Sequence, residues 1–173
     1  ILALIVLITR PQWPENTVVA QSAITGLLIH GVYLGGVFFA MSRGLSPAIS
    51  ALIVCLQPVL TSTVASRLLG ERVVLHQWIG LLLGLLGVFL VVYGNIHGGA
   101  SVAAWVAAFT ALGGITLGTI FQKRYGGAID WRAALFIQYA ATAILFCSAA
   151  VLFETMHIDW DIHFIGALAW MVI

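Results

Sequence analysis

Gln57 and Pro58 stand side by side in the middle of an apolar run, LIVCLQPVLTST, and Thr61 follows one turn later. Pro58 removes one backbone N–H and its ring opposes the carbonyl of Val54. In apolar surroundings such a break either lines a cavity or is a tolerated kink. Ser46, Ser50, Gln57 and Thr61 also share one face of a helix drawn through this run. The Gln57 amide has donors and an acceptor to satisfy, so it bonds another helix or faces water. His30 and Tyr33, three residues apart in the preceding apolar run, form a second candidate pair. An imidazole at membrane depth carries a proton, binds a polar group, or bonds in its neutral form to a neighbouring helix. Trp105, Phe109, Thr116 and Thr119 lie along one face of a later run. That face suits an apolar or amphiphilic ligand, or it is packing and lipid contact. Gln138 and Tyr139 are further candidates of the same kind.

The elements that would position these residues are membrane spans. The chain has 173 residues, of which 62% are hydrophobic and 8% charged. Soluble domains carry roughly a quarter charged residues. The shortage runs through the whole chain, so the expectation is an all-α polytopic membrane protein. The near-zero net charge argues against a nucleic-acid partner. Spans of about 20 apolar residues are expected at 18–41, 47–69, 76–93, 102–121 and 133–153, with the tail of one at 1–8 and the start of another near Phe164. The breaks between them carry glycine, proline or charge. Both ends fall inside apolar runs, which predicts a piece of a longer protein. Ser46 is placed to cap the helix that Pro47 begins, and Gly70 stands where that helix should stop.

Charge sets the expected orientation. Arg10, Arg67, Arg72, Lys123, Arg124 and Arg132 fall on one side, and the other has only Arg43 beside Glu154, Asp159 and Asp161. By the positive-inside rule the Gly70-Glu71-Arg72 turn is cytoplasmic. Glycine pairs at Gly31/Gly35 and Gly114/Gly118, and the stripe Gly80, Gly84 and Gly87, read as faces for close helix packing. Cys55 and Cys147 read as packing residues. His157, Asp159, Asp161 and His163 read as a solvated loop. No phosphate-binding loop, HExxH or GxSxG motif is present, so no cofactor or metal is expected.

Three segments carry a family resemblance: Phe38 to Ile53 (FFAMSRGLSPAISALI), Leu56-Gln57-Pro58 running through a small-residue helix to Leu69-Gly70-Glu71-Arg72, and Gln77-Trp78-Ile79-Gly80 with Gly87-Val88. In order and spacing together they resemble the EamA-like family of the drug/metabolite transporter superfamily. The resemblance implies a ten-helix bundle made of two inverted five-helix repeats. Residues 1–94 would then run from the end of the second helix through the fifth, 95–101 would join the repeats, and 102–173 would span the sixth helix to the start of the eighth. It further implies a secondary transporter in a bacterial inner membrane, exporting or exchanging small metabolites, amino acids or drug-like compounds by alternating access. His30, Tyr33, Gln57, Pro58, Thr61, Trp105 and Phe109 fall on the family's cavity-forming helices. Glu71 and Arg72 match its Glu-Arg turn, with an anchoring role for the fourth helix. The lipid bilayer and a small-molecule substrate are the implied partners, with protons as a candidate coupling ion through His30. The rival reading is a membrane-embedded enzyme, or a carrier of lipid or isoprenoid. An enzyme would need clustered carboxylates or a His pair, and Glu15, Glu71 and Asp130 are far apart in sequence.

Overall fold

A computed structural model describes residues 2–68, 74–93, 100–154 and 160–172. Among these residues every regular element is helical. Four helical stretches are long and apolar enough to cross a membrane: Asn16–Ser42, Pro47–Ala65, Val102–Tyr125 and Trp131–Phe153. The described part of the chain is therefore all-helical, with the length and apolarity of a polytopic membrane protein. The span boundaries shift modestly from those expected, because helical geometry continues past the apolar windows. The Val102 helix carries on through the charged residues Lys123 and Arg124, and the next begins at Trp131.

The order of elements is α1 (Leu2–Thr9), α2 (Asn16–Gly26), a π-helical stretch (Leu27–Leu34), α3 (Gly35–Ser42), α4 (Pro47–Val54), α5 (Gln57–Leu68), α6 (Leu75–Tyr93), α7 (Val102–Tyr125), a short 3-10 turn (Gly126–Ala128), α8 (Trp131–Phe153) and α9 (Ile162–Val172). The segment from α2 through α3 is one continuous span whose middle is π-helical. It packs on α7 along one side and on α8 along the other, while α4 and α5 pack against α7.

Small residues govern this packing, because lipid offers no hydrophobic drive and helices associate through close van der Waals contact. A Cβ on Gly26 would stand 2.5 Å from backbone atoms of Gln138 in α8. One on Gly31 would meet Leu145 at 3.0 Å, and one on Gly114 or Gly118 would meet Val32 at 2.8 Å or Ile29 at 2.6 Å. The expected packing role of Gly31/Gly35 and Gly114/Gly118 is thus visible. Gly80, Gly84 and Gly87 differ, since nothing described lies within 4 Å of a Cβ at any of them. The buried core follows the same logic: Ala40, Ala104 and Ala108 pack with Leu45, Ile49, Ile53 and Leu112 where α3, α4 and α7 meet.

The turn between α3 and α4 is locally determined. Gly44 has φ of 95°, in the left-handed region that suits glycine. Its N–H donates to the Met41 carbonyl at 3.1 Å, and the Leu45 N–H donates to the Ala40 carbonyl at 3.1 Å. These two bonds make a Schellman C-cap, and Leu45 at its end is 2% exposed. Ser46 then accepts from the Ile49 N–H at 3.2 Å and Pro47 occupies the first helical turn, as its type and place require. Ser101 caps α7 in the same way and its N–H reaches the Arg43 carbonyl at 3.4 Å, so the start of α7 is docked on this turn.

Candidate functional site

Pro58 acts on the backbone one turn before its own position. Helix α4 ends at Val54, Cys55 and Leu56 form a turn, and α5 begins at Gln57. The Leu56 N–H takes the Ile53 carbonyl at 3.1 Å, a tightened three-residue step, and the regular ladder resumes with Leu60 N–H to Leu56 at 3.1 Å. The break turns Gln57 towards α7. Its Nε2 donates to Thr119 Oγ1 at 3.3 Å, and that hydroxyl donates onward to the Ile115 carbonyl at 2.7 Å. Gln57 is therefore joined to a neighbouring helix, as one of its two expected roles required, and the joint sits at the break itself.

Three hydroxyls around this seam are buried without a partner among the described residues: Ser50 on α4, Thr61 on α5 and Thr116 on α7. Ser50 and Thr116 are 3% and 5% exposed. Other hydroxyls in these helices satisfy themselves by donating to the carbonyl four residues back, as Thr63, Thr110 and Ser148 do at 2.7–2.8 Å. An unpaired hydroxyl in an apolar interior costs about 1–3 kcal/mol. Three of them near a broken helix leave hydrogen-bonding capacity for water or a polar ligand.

A second polar group gathers at the π-helical stretch. The His30 ring stacks on Tyr139 of α8, with ring centroids 4.4 Å apart and planes 19° from parallel. Gln138 precedes that tyrosine on α8. Gln138 is itself 3% exposed, and one turn further on the Thr142 hydroxyl meets both the Gln138 carbonyl (2.9 Å) and the Gly26 carbonyl (3.1 Å). π-Helical geometry widens the turn and leaves carbonyls without their usual partners, which is why it concentrates at functional positions. Here it occurs over the residues, Leu27 to Leu34, that contain both His30 and Tyr33.

The expected site residues therefore fall into three places. Gln57, Pro58 and Thr61 lie at the seam of α5 with α7. His30 lies against α8, and Tyr33 is half-buried on the next turn. Trp105 and Phe109 are 40% and 54% exposed on α7, on the side of the helix away from Gly114 and Gly118. Thr119 and Tyr139, both singled out in the sequence, are the direct partners of Gln57 and His30. Thr25, Gly26 and Thr142 were not legible as site residues. The signal available was the repetition of polar pairs four apart, Gln21/Thr25 and Gln138/Thr142, inside apolar spans. Gly70, Glu71 and Arg72 lie outside the described residues. Among the described residues no group of three metal-ligating side chains comes together.

The family model described as the EamA-like transporter family matches residues 1–93. An uncharacterized transporter of Bacillus subtilis (strain 168), YvbV, is 30% identical over 138 residues, which covers 79% of this chain. The chain spans 43% of the length of that curated relative. No solved structure matches it.

Proposed function

The chain belongs to the EamA-like transporter family, and from that premise we propose that it forms part of a secondary active transporter working by alternating access. The cargo class is small metabolites, amino acids or drug-like compounds, exported or exchanged. The observation that carries this reading is the break at Cys55–Leu56, with the Gln57–Thr119 bond and the unpartnered hydroxyls of Ser50, Thr61 and Thr116 around it. A discontinuous helix at membrane depth is tolerated where it is buried in protein or lines a cavity. Unfilled hydroxyls favour the cavity, since a purely structural break would gain by satisfying them.

In this proposal the whole protein has ten helices in two inverted repeats of five. Residues 1–94 contribute the end of the second helix through the fifth, 95–101 join the repeats, and 102–173 begin the second repeat. The basic ends of the spans, with Arg10, Lys123, Arg124 and Arg132, face the cytoplasm of a bacterial inner membrane, as does the Gly70-Glu71-Arg72 turn. His30, Tyr33, Gln57, Pro58, Thr61, Trp105 and Phe109 line or border the cargo path, and His30 is the group through which protons would couple. The exposed Trp105 and Phe109 favour cargo with an apolar part.

The test is uptake by the full-length protein in proteoliposomes, across a panel of labelled amino acids and hydrophobic cations, with and without a pH gradient. Saturable uptake of one class is the expected result. Well-folded protein that moves none of them, yet modifies or carries an isoprenoid lipid, would overturn the proposal.

A further inference from the structure

We infer that a cavity of mixed polar and apolar lining between α2, α7 and α8, at their basic end, binds the headgroup of an anionic phospholipid. The cavity has a volume of about 220 Å³. One water needs only ~15 Å³ of such space, so a phosphate with its attached alcohol has room. Its walls carry Gln21, Ser22 and Thr25 from α2, Gln122 and Tyr125 from α7, and Gln138 from α8. Three of these polar side chains are deeply buried: Thr25 and Gln138 at 3% exposed and Ser22 at 7%. Trp131 stands at the mouth, 61% exposed. Gln138 lies seven positions further along α8, so the cavity reaches roughly 10 Å inward from the helix start.

Charge and aromatic placement name the ligand class. The Arg132 guanidinium lies over the Trp131 ring, 5.4 Å from its centroid, and that of Arg124 lies over the Tyr125 ring at 5.5 Å. Both rings belong to the cavity wall, so two cations are held at its rim by stacking. Among the described residues the nearby carboxylates, Glu15 and Asp130, line an adjoining groove with Trp13 and Val18, and Asp130 caps α8 by accepting from the Arg132 N–H at 2.9 Å. Tyr and Trp at a membrane boundary with Arg beside them anchor at headgroup level, and basic pockets between spans select anionic headgroups. Below the rim the Gln21 and Gln122 amides and the Ser22 hydroxyl supply donors for phosphate and glycerol oxygens, while the Thr25 hydroxyl already donates to the Gln21 carbonyl at 2.9 Å. A zwitterionic choline headgroup would bring its own cation against the two arginines.

The experiment uses full-length protein in detergent, with lipid retention read by native mass spectrometry and stability by thermal unfolding. The probes are phosphatidylglycerol, phosphatidylcholine and inorganic phosphate. Wild type is expected to retain phosphatidylglycerol about tenfold better than phosphatidylcholine. The pair Arg124→Gln and Arg132→Gln should lose about fivefold in retention per guanidinium removed, while Arg→Lys at both positions keeps the preference. Ser22→Leu fills the cavity without touching a charge, and it should abolish the preference too. Equal retention of the two lipids by wild type overturns the inference. So does a Ser22→Leu protein that keeps the full preference, because the effect would then be general surface charge. Stabilisation by inorganic phosphate without any lipid preference reassigns the cavity to a free anion and likewise overturns it. If the double Gln variant fails to fold, the wild-type lipid comparison and Ser22→Leu still decide.

Discussion

Replacing Gly26 by alanine tests the arrangement of the bundle at its tightest point. The new methyl would stand 2.5 Å from the Cα and carbonyl oxygen of Gln138, where ordinary contact begins at 3.4 Å. The obstacle is backbone, so no side-chain rotation relieves it, and α8 must retreat by nearly 1 Å. That retreat strains the Thr142 hydroxyl bond to the Gly26 carbonyl, now 3.1 Å, and loosens the Tyr139 ring stacked on His30. Overpacking of this kind costs about 1–3 kcal/mol, and an interhelical bond within a membrane about 0.6 kcal/mol. Alanine's helical advantage over glycine returns roughly 0.5–1 kcal/mol. The net expectation is a loss of about 1–3 kcal/mol. Gly84→Ala is the internal control, because a Cβ there meets nothing within 4 Å among the described residues, and it should leave stability unchanged or raise it by about 0.5 kcal/mol. Both variants of the full-length protein would be followed by thermal unfolding in detergent, with size-exclusion recovery after heating. A Gly26→Ala protein as stable as wild type would refute the close approach of α2 and α8. A large loss in Gly84→Ala would show that α6 packs on another part of the protein through its glycine face.

Gln57→Leu should reduce transport strongly at near-normal abundance. The Thr119 hydroxyl keeps its bond to the Ile115 carbonyl at 2.7 Å, so little structure is lost; unchanged uptake would make Gln57 a structural tie only. His30→Gln keeps a hydrogen-bonding group beside Gln138 and removes the titratable one, so gradient-driven uptake should become insensitive to pH while binding persists. A gradient response identical to wild type rules His30 out as the coupling group. Gly44→Ala forces an L side chain to φ of 95° and should cost ~1–2 kcal/mol, read as a fall in melting temperature with specific transport intact. Glu71→Ala is expected to lower abundance more than specific activity, and stable but inactive protein would give that carboxylate a functional role.

Much of the fold was legible in the chain itself, and the legible parts share a physical reason. A span needs only length and apolarity, so 62% hydrophobic content with sparse charge was enough to mark the helices. The turn at Ser42 to Pro47 is equally local: Gly44 tolerates the left-handed backbone, Ser46 caps and Pro47 starts a helix, whatever surrounds them. Pro58 foretold a break for the same reason, since a missing N–H and a ring clash act on the residue's own helix.

Residues acting through their neighbours were only half legible. Gln57 had to bond a helix or face water, and helical periodicity could not choose between them; the partner, Thr119, lies 62 positions further along the chain. The glycine stripes looked alike in sequence, yet Gly114 and Gly118 are pressed against α2's continuation while Gly80, Gly84 and Gly87 meet nothing among the described residues. Gly26, which makes the closest approach, belongs to no stripe. The π-helical stretch had no sequence signature. The sequence alone thus determined which described segments are helical and how the Ser42–Pro47 turn is built, since those depend on each residue's own backbone and transfer energies. Only the tertiary structure decided which face of each helix meets which, and so which polar groups are paired and which are left for a ligand, because those depend on distances between residues far apart in the chain.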